Sequence, residues 1–416
     1  MNQNNGERNG ALAIIGCCIA IFWPGALTFG FPGVMASLWQ EMFHVGSGAT
    51  GATIFFMLSA VGIFMFLAGR WQERYGIRRM IILGILLTSI GCILAAFANS
   101  IAMVYAWAFI NGAASCFVYI PALTLVQQWY HQRKGLVSGT VSMVFGLAAA
   151  IMSPVFGLML NAFGYRNMSL VLAVLALTAG LLGAYFALER DDETIKRKNE
   201  IRDALKRQIR EGNEIDKDEQ RRPLTVSETL HTRSFWFLWT TWILAGAAGV
   251  SMTVLSTGYG LSLGLPLEGA VLILTAFNLT NGTGRLASGY FSDRLGRRRV
   301  MSLAFLAAGL AYFLFPLAGD LPTSAILAAV VGLSFGTLFS VSAPLVADCF
   351  GLDHFGAIFG LTFAAYGFLA GPLGPTLSGY LLDLNGGNFI PIFLYLGAFS
   401  LLAALSIRQV VSPERR

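Results

Sequence analysis

Charged residues are scarce in this chain of 416 residues. Only 12% are Asp, Glu, Lys or Arg, whereas 56% are hydrophobic, and the mean hydropathy is +0.66. Soluble domains carry about 25% charged residues, so the composition excludes a soluble globular protein. It predicts an integral membrane protein, with the lipid bilayer as a partner.

Residues suited to metal, disulfide or phosphate chemistry are also few or dispersed. Five cysteines lie in or beside apolar runs, and four histidines are scattered at positions 44, 131, 231 and 354. Neither set has the spacing of a metal site or a disulfide framework. The sequence has no Gly-x-x-x-x-Gly-Lys-(Ser/Thr) phosphate loop and no nucleophile placed beside a base. We therefore expect no metal, no cofactor, no ATP-driven pump and no enzyme.

Long apolar runs fill most of the chain. A hydrocarbon core about 30 Å thick needs roughly 20 apolar residues per helix. Twelve runs reach this length, and we number them spans 1 to 12: 11–38, 47–69, 80–98, 101–128, 135–163, 168–188, 235–262, 269–291, 300–318, 322–347, 356–382 and 390–407. The sequence thus predicts an all-α membrane protein with five parts: a tail over 1–10, a six-helix bundle over 11–188, a linker over 189–234, a second six-helix bundle over 235–407, and a tail over 408–416.

Basic residues indicate the orientation of the spans. With both termini in the cytoplasm, all but two of the 28 Lys and Arg residues fall in cytoplasmic tails and loops. The exceptions are Arg166, in an outer loop, and Arg285, inside span 8. This positive-inside distribution predicts a multi-pass protein of the cell membrane with both termini cytoplasmic. The net charge of +6 follows from the same bias and requires no nucleic-acid partner.

An internal repeat relates the two bundles. The segment 69–79 recurs as 289–299, at an offset of 220 residues. The same offset carries Gly112 onto Gly332, and "SPVFG" in span 5 meets "GPLGP" in span 11 at an offset of 218. Repeats of this kind predict two parallel six-helix halves related by an axis along the membrane normal.

The linker between the halves is highly charged but neutral, with twelve basic and twelve acidic residues. Within it, Ile201, Leu205 and Ile209 recur every four residues, which predicts an amphipathic helix. Such a helix lies against the bundle or the lipid surface, or it is a solvated connector with no specific role. The sequence leaves both readings open.

The repeated segment carries the pattern Gly-x-x-x-(Asp/Glu)-Arg-x-Gly-x-(Arg) after spans 2 and 8, and with it the whole chain resembles the major facilitator superfamily. The resemblance implies the major facilitator fold, with twelve transmembrane helices in two parallel-related halves. In that family the motif lies at the cytoplasmic helix ends and helps to hold the outward-open state. Here its residues are Gly69, Glu73, Arg74, Gly76, Gly289, Asp293, Arg294 and Gly296. Simple anchoring of helix ends at the interface is a further role for the same charges.

One arginine lies inside an apolar span. Arg285 is one to two turns from the predicted cytoplasmic end of span 8, while the 22 acidic residues lie in tails, loops or span ends. A charged side chain at the bilayer centre costs about 2.5 to 3.5 kcal/mol, so it indicates a function. A structural ion pair would need a carboxylate inside the membrane. The planar guanidinium fork also matches a carboxylate, which favours a substrate anion as its partner.

Polar and aromatic residues of neighbouring spans outline a small cavity around this arginine. On span 8, Asn278 and Asn281 share its helical face. On span 4, Asn111, Ser115 and Tyr119 recur every four residues. The predicted substrate-binding set is completed by Thr28, Phe145, Phe335, Phe339 and Tyr366. Interhelical hydrogen bonding or plain packing is the alternative role for each of them.

Within the superfamily, the chain most resembles the group of monocarboxylate transporters and oxalate/formate antiporters. That resemblance implies that Arg285 holds the carboxylate of the substrate. Two positions depart from the group: Asn281 stands where eukaryotic monocarboxylate transporters have an aspartate, and Tyr366 where the oxalate carrier has a lysine. Because one cation suits one carboxylate, the sequence favours lactate, pyruvate or another short monocarboxylate over a dianion.

The predicted mechanism is symport of the monocarboxylate with a proton, by rocking of the two halves about the central site. Moving a bare monoanion against an inside-negative potential costs about 2.3 kcal/mol per 100 mV, whereas movement with a proton is electroneutral. The second hypothesis is an anion exchanger of the oxalate/formate type. A transporter-like anion sensor is the alternative from another class. The resemblance also implies a monomer.

Overall fold

The computed structural model describes four stretches of the chain: 3–130, 134–189, 224–351 and 355–411. These stretches are helical, and no β-strand occurs within them. The amphipathic helix expected around Ile201, Leu205 and Ile209 lies outside the described residues, as do residues 412–416 of the predicted tail.

The helices follow the chain in two sets of six spans. In the first half the helices are Gln3–Phe29 and Phe31–Phe43 (span 1), Ser47–Tyr75 (span 2), Ile77–Ala96 (span 3), Ile101–Trp129 (span 4) and Lys134–Phe186 (spans 5 and 6). A short helix, Val226–Leu230, precedes the second half. There the helices are Arg233–Ser262 (span 7), Leu267–Leu295 (span 8), Arg297–Leu314 (span 9), Leu321–Phe350 (span 10), Phe355–Ala365, Tyr366–Ala370, Pro372–Thr376 and Leu377–Leu384 (span 11), and Ile390–Arg408 (span 12).

The number of membrane crossings agrees with the predicted twelve. Ten helices in the described stretches are long and apolar enough to cross a membrane. One of them, Lys134–Phe186, contains two crossings, because the chain turns at Gly164 with a φ of 69°. Span 8 is not among the ten, since Asn278, Asn281 and Arg285 lower its hydropathy. The turn at Gly164 and the polar span 8 bring the total to twelve.

Several helices extend past the apolar runs from which they were predicted. The first helix begins at Gln3, inside the segment 1–10 that the sequence assigned to a polar tail. Span 2 continues to Tyr75, six residues beyond the end of its apolar run. Helical hydrogen bonds are made within the segment itself, so a helix can project into water beyond the hydrocarbon core. The apolar run therefore predicts the segment inside the membrane better than it predicts where the helix begins and ends.

The internal repeat is visible in backbone contacts between spans. A Cβ added at Gly112 in span 4 would collide with the carbonyl oxygen of Met57 in span 2. At the offset of 220 residues, a Cβ added at Gly332 in span 10 would collide with the carbonyl oxygen of Phe277 in span 8. Both glycines allow two helix backbones to approach closely. The two halves thus repeat the same helix packing.

The repeated motif forms the turns between spans 2 and 3 and between spans 8 and 9. Gly76 and Gly296 have φ values of 88° and 90°, a region that favours glycine, and each both ends one helix and begins the next. Gly69 and Gly289 have open space around them. Arg74 lies over the ring of Tyr75, whereas the side chain of Glu73 is outside the described part of the structure.

Charges of the second motif pair within their own half. Arg297 lies 3.8 Å from Asp293 and also donates to the carboxylate of Asp348 at the end of span 10. Arg294 lies over the ring of Tyr290, 4.2 Å from its centroid. In the first half, the Glu189 carboxylate accepts a 2.6 Å hydrogen bond from the backbone N–H of Arg78. A role of this motif in holding an outward-open state stays a prediction.

Hydrogen bonds join the two halves at the predicted external end. The Asp383 carboxylate at the end of span 11 accepts from the backbone N–H groups of Ser47 and Gly48, at 2.8 Å and 2.9 Å. The Asn161 amide of span 5 donates to Glu268 of span 8 over 2.7 Å. The halves are therefore closed against each other at this end of the bundle.

Candidate functional site

A cavity of about 50 Å³ lies between the two halves. A water molecule needs roughly 10 to 15 Å³ on this measure, so the cavity holds a few water-sized groups. Both halves contribute to its wall: Thr28, Phe29, Leu58, Val61, Met65, Ser115, Cys116, Tyr119, Phe145, Arg285, Phe339, Phe363 and Tyr366. Arg285 is the single charged residue among them.

Arg285 is held on one side by span 5 of the opposite half. Its Nη1 donates to the Ser142 hydroxyl at 2.8 Å and to the Ser142 carbonyl oxygen at 3.2 Å. Its Nη2 lies 3.5 Å from Oδ1 of Asn281, one turn earlier on its own helix. The side chain is 3% exposed, and no acidic side chain of the described residues pairs with it. The guanidinium is therefore positioned without being neutralised.

The opposite edge of the same guanidinium carries an unpaired donor. Nε is buried and has no hydrogen-bond partner among the described residues. Nε and Nη2 lie along one edge of the planar group, and this edge can donate two parallel hydrogen bonds to a carboxylate. The arrangement thus presents a two-donor fork that nothing in the described protein fills completely.

Aromatic rings surround the cation. The Arg285 carbon Cζ lies 4.8 Å from the centroid of the Phe339 ring, within range for a cation–π contact. The ring of Tyr366 packs edge-on against Phe339 at 5.5 Å. The Tyr366 hydroxyl is buried with no partner among the described residues. Behind these rings, Trp242 of span 7 packs against Phe363 at 4.6 Å. The wall is thus mostly apolar, with one further unpaired hydroxyl.

The polar residues of span 4 are largely engaged with the protein. Asn111 donates to the Thr28 hydroxyl at 3.4 Å, and Thr28 donates to the carbonyl oxygen of Pro24 at 2.7 Å. Ser115 donates to a carbonyl oxygen of its own helix. Tyr119 shares a 3.0 Å hydrogen bond with Ser142, whose hydroxyl also accepts from Arg285. Ser142 therefore links both halves at the cavity.

Seven of the eleven predicted site residues line the cavity: Thr28, Ser115, Tyr119, Phe145, Arg285, Phe339 and Tyr366. The other four lie around it. Asn281 contacts the Arg285 guanidinium, and Asn278 reaches the carbonyl oxygen of Phe29 at 3.5 Å. Asn111 supports Thr28, and Phe335 packs against Phe339 with 5.1 Å between ring centroids. The structure thus brings all eleven into one region, with four in supporting positions.

The sequence interpretation missed the cavity residues of span 2. Leu58, Val61 and Met65 line the cavity, and they stand at the offset of 220 residues from Asn278, Asn281 and Arg285. The internal repeat therefore carried a signal from which these three residues could have been predicted. At the offset of 218, Phe363 corresponds to Phe145 in the same way.

The remaining missed residues carried weaker signals. Phe29 and Cys116 look like ordinary apolar residues of spans 1 and 4, and nothing in the sequence separates them from packing residues. Ser142 is one of many serines in the spans, and only the structure shows its contact with Arg285. Within the described stretches, no group of three or more His, Cys, Asp or Glu side chains is arranged to hold a metal ion.

Twelve spans in two repeated halves around a central cavity are the architecture of a secondary transporter. The family model of the Major Facilitator Superfamily matches residues 12–275 and 262–416. The chain belongs to this superfamily of transporters, and it is a multi-pass membrane protein.

Relatives of low sequence identity indicate which group within the superfamily the chain resembles. The chain is 26% identical over 380 residues to an uncharacterised MFS-type transporter, YhjX, of Escherichia coli strain K12, covering 88% of this chain and 87% of that protein. It is 24% identical over 411 residues to human monocarboxylate transporter 2, covering 95% and 82%. It is 26% identical over 303 residues to the oxalate:formate antiporter of Oxalobacter formigenes, covering 71% and 67%. The chain thus resembles the monocarboxylate transporter and oxalate/formate antiporter group.

Proposed function

We propose that this protein transports a small monocarboxylate across the membrane together with a proton. The observation that carries the proposal is the unpaired Nε of Arg285, a buried cation with no acidic partner among the described residues. An unpaired charge within the membrane is costly, so a bound anion would stabilise this site. A carboxylate on Nε and Nη2 would supply that charge and accept both hydrogen bonds.

Charge and size favour a short acid with one carboxylate. Arg285 is the single cation among the described residues of the cavity wall, and Tyr366 offers a neutral hydroxyl in the same wall. A second carboxylate of the same substrate would be buried against aromatic and aliphatic side chains without a counter-charge, which is costly. The cavity also holds only a few non-hydrogen atoms. The single cation favours lactate and pyruvate over a dianion.

Coupling to a proton follows from the membrane potential. Carrying a monoanion inwards alone costs about 2.3 kcal/mol per 100 mV, and co-transport of one proton removes this cost. Among the described residues the cavity wall has no Asp, Glu or His, so we assign the proton to the substrate carboxylate itself or to a path through water and the hydroxyls of Tyr119 and Tyr366. The transporter acts as a monomer of the cell membrane, with both termini in the cytoplasm.

Uptake into proteoliposomes tests this function. We expect labelled L-lactate to enter empty vesicles when the outside is made acidic, because the pH gradient drives the proton and its anion together. The uptake should carry no electrical current, and collapse of the gradient with a protonophore should abolish it. A current that accompanies uptake, or uptake that ignores the gradient, contradicts proton symport.

The same vesicles separate the alternatives. The named oxalate:formate antiporter among the relatives makes exchange the second candidate. An exchanger would show uptake only into vesicles preloaded with lactate, oxalate or formate. An anion sensor would bind lactate and show no flux under any gradient.

A further inference from the structure

The cavity has an apolar wall in the first half at positions equivalent to the polar face of span 8 in the second half. Asn278, Asn281 and Arg285 follow one face of span 8, and their counterparts in span 2 are Leu58, Val61 and Met65. Residues related by a parallel repeat lie at similar depth on opposite sides of the axis along the membrane normal. The apolar face of span 2 therefore lies across the cavity from the cation.

We propose that this face of span 2, formed by Leu58, Val61 and Met65, contacts the carbon tail of the substrate and selects acids with an apolar third carbon. The proposal rests on the carboxylate site at Arg285 and adds to it the group that determines specificity. A carboxylate bound to Arg285 points the rest of a small acid away from the guanidinium. In a cavity of about 50 Å³, that direction leads to the opposite wall.

The described side chains on the tail side of the cavity offer no free hydrogen-bond donor. Leu58 and Val61 have no side-chain group that could pair with a hydroxyl, and Met65 has only a weak acceptor in its thioether sulfur. Nearby, the Ser115 hydroxyl and the Cys116 thiol already donate to the carbonyl oxygen of Gly112. A substrate hydroxyl buried there would lose its water partners without replacement, which lowers affinity. A hydroxyl on the second carbon lies beside the carboxylate, and Tyr366, whose buried hydroxyl has no described partner, lines the same cavity.

Two acids of equal size test this selection. 2-Hydroxybutyrate and glycerate differ only in a methyl or a hydroxyl on the third carbon. We expect the native protein to bind 2-hydroxybutyrate about 10- to 100-fold more tightly, measured as Kd by calorimetry on purified protein. Val61→Thr keeps the shape of the side chain and adds a hydroxyl, so it should reduce this ratio about five-fold or more.

Control variants separate a selective effect from a loss of packing. Val104→Thr places the same change at a fully buried valine that does not line the cavity, and it should leave the ratio unchanged. Met65→Gln is a second polar variant of similar size, should Val61→Thr fail to fold, and it should also reduce the ratio.

The outcomes distinguish this inference from the proposed function. If native protein binds lactate but does not discriminate between the two acids, the assignment of span 2 is overturned while the carboxylate site stands. An unchanged ratio in both folded variants overturns it in the same way. If native protein binds no monocarboxylate at all, the proposed function and this inference fail together.

Discussion

At the scale of single residues, Arg285 depends on a partner from the other half of the protein. The Ser142 hydroxyl accepts a 2.8 Å hydrogen bond from Arg285 Nη1 and shares a 3.0 Å hydrogen bond with the hydroxyl of Tyr119. The Ser142 carbonyl oxygen adds a weaker bond at 3.2 Å. These contacts hold Nη1, so that Nε stays unpaired and Nη2 has only the 3.5 Å contact with Asn281.

Removal of the Ser142 hydroxyl should weaken substrate binding. A hydrogen bond to a charged group contributes about 1.5 to 3 kcal/mol, and the backbone bond to Arg285 remains in Ser142→Ala. We therefore expect the Kd for lactate to rise about ten-fold, measured by calorimetry, while the purified variant stays folded.

Two variants on the same helix control this experiment. Ser142→Thr keeps the hydroxyl and should recover most of the affinity. Ser138→Ala, one turn earlier, removes a hydroxyl that accepts from Gln127 and not from Arg285. A lactate Kd in Ser142→Ala equal to that of Ser138→Ala would show that Ser142 does not position the arginine.

At the scale of helices, span 11 caps span 2 across the interface between the halves. The Asp383 carboxylate accepts from Ser47 and Gly48, the first two residues of span 2. A carboxylate at a helix N-terminus satisfies free N–H groups and interacts favourably with the helix dipole. A second cavity of about 210 Å³ lies beside this contact and is lined by Thr50, Gln40 and Pro375 among others.

Loss of this cap should loosen the predicted external end. A helix cap contributes about 1 kcal/mol, so Asp383→Ala should shift an opening equilibrium about five-fold. We would measure the rate at which a hydrophilic thiol reagent labels Thr50→Cys, and we expect a similar increase in rate when Asp383→Ala is added.

Asp320 provides the matched control. It caps span 10 of its own half by accepting from the Thr323 N–H at 2.8 Å, and hydrogen bonds from Thr323 lower the pKa of its carboxyl group. Asp320→Ala therefore removes a charged cap at the same end of the bundle without separating the halves. Equal labelling of Thr50→Cys in the two backgrounds would contradict a cross-half role for Asp383.

The transmembrane helices were largely predictable, because a segment that crosses the hydrocarbon core of the bilayer must be apolar over its length. The twelve spans, the repeat and the polar face of span 8 all follow from the sequence. The irregular path of span 11 does not. Its π-helical segments, Tyr366–Ala370 and Pro372–Thr376, lie around prolines that cannot donate the usual helical hydrogen bond. Which local geometry results depends on contacts with span 2, and composition does not encode those contacts.

At the scale of the whole molecule, both halves form the candidate site. They share the same helix packing but place different side chains around the cavity. One half supplies the cation through Arg285, and the other supplies its support through Ser142 and an apolar wall through Val61. The halves are closed at the predicted external end, so transport requires them to part there, as in alternating access. A substrate that contacts both walls would couple this movement to its own binding.

The sequence drew attention to the span 8 side of this candidate site and not to the span 2 side. Charge made span 8 conspicuous, because an arginine in an apolar run stands out. Leu58, Val61 and Met65 resemble every other apolar residue of a membrane helix, so their role appears only from the repeat or from the structure. The Ser142 contact depends on the distance between spans 5 and 8, which no local pattern reports.

The most direct test of the central claim compares lactate with its neutral amide, lactamide, as ligands of native protein and of Arg285→Ala. Arg166→Ala is the control, since this arginine lies over the Phe97 ring, away from the cavity. We expect native protein and Arg166→Ala to bind lactate and not lactamide. Arg285→Ala should lose lactate affinity by about 100-fold or more, the value for a charge-assisted pair of hydrogen bonds. If folded Arg285→Ala binds lactate as native protein does, Arg285 does not hold the carboxylate and the account is wrong.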